Sequence, residues 1–142
     1  MTTSEAKVLL MMHSFRHPDI HHPKMETGFL GSLRPYCGLK VENFHEVMTA
    51  LRVMAPSLQE SRVDRDMVGA LWSICDLSYS WGVHPGGMLR RNDLITPSDV
   101  ERLERWSNCI SYASRMLLGG DASDAAIVEA FHGCDCKETW LK

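Results

Sequence analysis

The sequence predicts an all-α fold, and three observations carry that prediction: apolar residues that recur every three or four positions, capping residues where those patterns begin, and no stretch of sustained period-two alternation. A capping box of Thr2 with Glu5 opens the first helix, in which Val8, Met11, Met12 and Phe15 form the apolar positions before Pro18 ends it. Pro23 suits the first turn of a second helix that runs to about Tyr36 and is stopped by Pro35 and Gly38. A third, from about Lys40 to Met54, carries the stripe Val41, Phe44, Val47, Met48, Leu51 and Met54, which Pro56 terminates.

Ser61 with Asp64 marks the fourth start, and Met67, Val68, Leu71, Trp72, Cys75 and Tyr79 continue the period to Gly82. Thr96 as N-cap, Pro97 at the first helical position and Asp99 at the third open the fifth. Its stripe of Val100, Leu103, Trp106, Ile110, Ala113 and Leu117 stops at Gly119-Gly120. A last helix, capped by Asp121 or Ser123, runs through Ile127, Val128 and Phe131 to Gly133, leaving a short tail over 134–142 in which Trp140 is a docking group or lid. The expected architecture is a single domain over 1–142 of about six helices packed as antiparallel pairs. Trp72-Ser-Ile-Cys75 recurs 34 residues later as Trp106-Ser-Asn-Cys109, a helix-pair repeat length, but the following Ser-Tyr pair is offset by one, so a solenoid is the less favoured arrangement.

A chain of 142 residues can bury a conventional core without disulfides or metal. Five scattered cysteines form no disulfide framework and fit a reducing cytoplasm, with Cys75 and Cys109 as small buried groups. The run Val8 to Met12 is too short for a signal peptide core, and no segment approaches the roughly 20 apolar residues of a membrane span. The net charge of -3 arises in the last third: residues 98–142 hold eight acidic and five basic side chains, while the remainder balances. That argues against nucleic acid, which requires a concentrated basic surface, and for a partner of basic character.

The connection from Trp81 to Asp99 is dense in polar residues and glycine. Thr96 to Asp99 reads as a helix cap, which leaves Trp81, His84, Arg90, Arg91, Asn92 and Asp93 as the candidate partner-binding set. Gly86-Gly87 before the two arginines could cradle an anion, although a structural turn is the better reading. Trp72, Trp106, Phe44 and Phe131 are assigned to the core by their spacing. Two clusters carry metal-ligating types: the loop histidines His17, His21 and His22 beside His13, and His132 with Cys134 and Cys136. Pro18 breaks the helical relation in the first, and the second lacks a matching Cys-x-x-Cys half.

No nucleophile elbow or convergent catalytic set is present at motif spacing. The residues therefore favour a non-enzymatic, cytoplasmic protein-binding module without cofactor, which acts by surface occlusion as an inhibitor, an immunity or antitoxin-like protein, or an adaptor. The alternatives are a His/Cys enzyme or sensor dependent on zinc or another transition metal, and a nucleic-acid-binding regulator. A homodimer through a Met-rich helix face is also open.

Overall fold

The computed structural model describes residues 1–120, which hold six α-helical segments, one π-helical turn and one isolated bridge between Leu33 and Tyr36. The helices are α1 (Thr3–His13), α2 (Pro23–Thr27), α3 (Val41–Leu58), α4 (Arg65–Ser78), α5 (Met88–Arg91) and α6 (Pro97–Leu118), with the π turn Tyr79–Val83 continuing α4. The all-α fold is as expected. The expected helix from residue 121 to Gly133 and the tail beyond it lie outside the described residues.

Where the caps are strong, the starts match. Thr2 and Glu5 form the reciprocal capping box of α1, and the Thr96 hydroxyl accepts from Asp99 N with Pro97 at the first position of α6. Elsewhere local signals yield to tertiary contacts. Helix α1 buries Ala6, Leu10, Met12 and His13, whereas Val8 and Phe15 are exposed; it stops at His13, before Pro18, with Phe15 in the left-handed region at φ 62°. Helix α2 ends at Thr27, well short of Tyr36, because Gly28 turns extended and hands the next two amides to α1: Phe29 N donates to His13 Nδ1 and Leu30 N to the His13 carbonyl. Pro56 does not terminate α3. It sits in the last turn, where its missing N–H forfeits a single bond to the preceding turn, and Leu58 beyond it is buried. The cap of α4 is Asp64, not Ser61, and accepts from Asp66 N.

Helix α3 lies between α1 and α6, while α4 packs on α1 and on α6. One cluster of buried side chains joins all of these elements. At its centre Trp106 stacks on Phe44 with centroids 5.3 Å apart and planes 7° apart, and Phe29 tilts against it at 6.4 Å. Helices α4 and α6 run antiparallel along a seam of small residues: Ser78 Oγ meets Ser107 Oγ at 2.8 Å, and Cys75 bonds to Ser111. No helix of the described residues is long and apolar enough to cross a membrane.

Candidate functional site

The sequence reading places Trp72 in the core, and the structure reverses that. Trp72 is 73% exposed, while Trp106, its counterpart in the sequence echo, is 1% exposed, so the two tryptophans have opposite roles. The reason lies in the width of the α4 pattern. Met67, Ala70, Leu71, Ile74 and Ser78 are the buried residues of the helix. Val68, Trp72, Cys75 and Tyr79 form a second stripe about 110° round the helix, counting about 100° per residue. Their spacing of four, three and four is that of a helix-packing seam.

The facing wall comes from α6, where Ser107, Ser111, Ser114 and Leu118 repeat the same spacing. Between the two walls runs a groove. One part, about 490 Å³, is lined by Val68, Leu71, Trp72, Cys75, Ser114 and Leu118 among others; the next, about 290 Å³, shares Trp72, Cys75 and Ser111 and continues to Tyr79 and Ser107. From Val68 to Tyr79 the groove is three helical turns long, about 16 Å. Serine keeps its α6 wall low, and an aromatic and apolar wall stands opposite. The buried Ser114 Oγ has no hydrogen-bond partner among the described residues, and Asp76 and Arg115 edge opposite ends.

The candidate set from the 81–93 connection is divided rather than convergent. Trp81 is half-buried, tilted against Phe15 at 6.3 Å and covered by the Arg34 guanidinium 5.4 Å from its ring centre. His84 is exposed, and its ring meets Tyr79 edge-on at 6.2 Å, which sets it at the end of the α4–α6 groove. Arg90 Nη1 donates to the Val83 carbonyl at 2.9 Å, and Arg90 and Asp93 line a separate cavity of about 380 Å³ with Pro97 and Glu101. Asn92 Nδ2 donates to the Met88 carbonyl and caps α5, and Arg91 is exposed. Gly87 is required by packing: a Cβ there would strike the Ser80 carbonyl.

The chain matches no protein-family model, no curated protein and no solved structure.

The histidines are divided too. His17 Nδ1 accepts from Asp19 N, and His22 Nδ1 accepts from Lys24 N as the cap of α2. His21 is exposed and its amide donates to the Asp19 carboxylate. Among the described residues no group of three or more His, Cys, Asp or Glu side chains could hold a metal ion; His132, Cys134 and Cys136 lie outside them. His13 is fully buried, with Nε2 2.7 Å from Glu46 Oε2 and Nδ1 2.8 Å from Phe29 N, and Lys24 Nζ closes on the same carboxylate. With no exposed face, this group cannot reach a substrate. Cys75 is only half-buried, but burial pushes its thiol up to about 11, so it stays protonated and unreactive near neutrality.

What the sequence reading missed was present in the chain. By spacing alone Met67, Val68, Leu71, Trp72, Cys75 and Tyr79 run together as one stripe, although these residues span more of the helix than a single packed face needs.

Proposed function

We propose that this protein is a non-enzymatic protein-binding module that takes an amphipathic helix of a partner protein in the α4–α6 groove. One observation carries the reading: an outward, seam-spaced stripe on α4, with Trp72 73% exposed, faces a low serine wall on α6. Two helices that present such stripes to the same channel provide two sides of a three-helix contact, and helix-in-groove recognition supplies the third. Small residues on one wall let the incoming backbone approach closely. Trp72 is the anchor, of the residue type that dominates interface energetics.

Charge gives the partner a direction. Asp76 at the Tyr79 end favours a basic residue on the partner, and Arg115 at the Leu118 end favours an acidic one. His84 extends the contact beyond Tyr79, with Arg90, Arg91 and Asp93 as an outer polar zone. Occupying a partner's helix in this way conceals it from other proteins, which is the action of an inhibitor, an immunity-type protein or an adaptor.

Photo-crosslinking from benzoylphenylalanine at position 72 of the full chain, in the cells that make it, tests this reading. The expected product is a crosslink mapped to an amphipathic helix of a different protein, and Trp72→Ala is expected to weaken that complex about thirtyfold while the melting midpoint holds. Crosslinks confined to this chain, within one molecule or between two copies, would overturn it.

A further inference from the structure

We propose that His13 is a proton-operated latch that holds the segment 28–33 against α1 and releases it when the imidazole takes up a second proton. The hydrogen bonds fix the starting state. A backbone N–H can only donate, so the 2.8 Å contact from Phe29 N requires a bare lone pair on Nδ1, and the single ring proton sits on Nε2, facing Glu46 Oε2 at 2.7 Å. The neighbouring amide, Leu30 N, donates to the His13 carbonyl, so one residue secures two successive amides of the segment. Helix α3 brings Glu46 to the ring and α2 brings Lys24, whose ammonium binds the same carboxylate.

A proton on Nδ1 places two N–H groups nose to nose, and the Phe29 amide must leave. Glu46 and the C-terminal end of α1 both welcome the added charge, while burial and the Lys24 ammonium oppose it. Burial is the largest of these effects, and it holds the imidazole below its ordinary 6.5. The closed segment therefore resists the proton, and the proton favours the open one. Release has a consequence at a distance, because the segment leads directly into Arg34, whose guanidinium covers the ring of Trp81. Acid thus uncovers an aromatic surface that is half-buried near neutrality.

Nuclear magnetic resonance of the full chain tests the latch through the ring nitrogens of His13 and the exchange protection of the Phe29 and Leu30 amides. The expected result is a neutral ring protonated on Nε2 at about pH 7.5, with protection of both amides falling about tenfold by about pH 5.5. In His13→Gln, which has no imidazole to protonate, that fall is expected to vanish. A Phe29 amide equally protected across the range, or a fall that persists in the variant, would overturn the proposal. Should the variant not fold, the unmodified chain decides alone: a His13 ring that gains its second proton while Phe29 stays protected, or a ring carrying its single proton on Nδ1, would also overturn it.

Discussion

Among single residues, Glu46 shows how much one carboxylate can organise. It accepts from His13 Nε2 and binds Lys24 through both oxygens, at 2.8 and 2.7 Å, so α1, α2 and α3 meet at one side chain. The His13 hydrogen bond, followed by the Lys24 ammonium, outweighs partial burial and holds its carboxyl down to about 2, against an ordinary 4.5. A carboxyl depressed in the folded state adds stability that is complete above about pH 4.5 and is lost as the pH falls toward about 2. Denaturant titrations across that window are expected to show this loss, and Glu46→Gln is expected to flatten it while lowering stability near neutrality. An unaltered acid limb in the variant would mean that another group sets the dependence. Neither role of the cluster was legible in the sequence. His13 lay among metal-binding candidates because its partners are 16 and 33 residues distant, and no local pattern points to them.

At the level of elements, local chemistry decided what it could. The caps at Thr2 and Thr96 and the stop at Gly119 were readable because each is settled within a few residues. Helix α2 was misjudged because its end depends on amides claimed by α1, and α5 went unseen because four residues carry no period. The groove was half legible: every residue of its α4 wall was singled out, but two faces were counted as one. The π turn and α5 are held together by the close approach at Gly87, where a Cβ would press on the Ser80 carbonyl and crowd those of Trp81 and His84 at 3.0 Å. Backbone cannot swing aside as a flexible side chain can. Gly87→Ala is therefore expected to lower stability by about 1–3 kcal/mol, read as a shift of the denaturation midpoint. A neutral result would show that α5 can move without cost.

For the whole molecule, charge and shape divide the work. The acidic groups of residues 98–142 set the sign of the net charge, and in the proposed reading the groove would set what fits. Arg90 and Arg91 project from α5 at the outer end of this arrangement. Replacing both with Ala is expected to weaken partner binding through loss of their direct contacts, by less than Trp72→Ala does. Among the described residues the side-chain bond forfeited is that from Arg90 to the Val83 carbonyl, which costs about 1 kcal/mol, or a melting point lower by about 4 °C. Unchanged affinity in isothermal titration would remove the outer polar zone from the interface and leave the groove alone.

The π turn gives that groove a terminus. Helix α4 keeps its outward stripe in register from Val68 to Tyr79, and there the chain widens by one residue per turn and the stripe loses its phase. A helix bound in the proposed way would meet the apolar stripe for three turns, and beyond Tyr79 it would meet polar side chains instead. Under that proposal the wide turn would act as a ruler for the apolar part of a bound helix, setting where its apolar face must give way to polar residues.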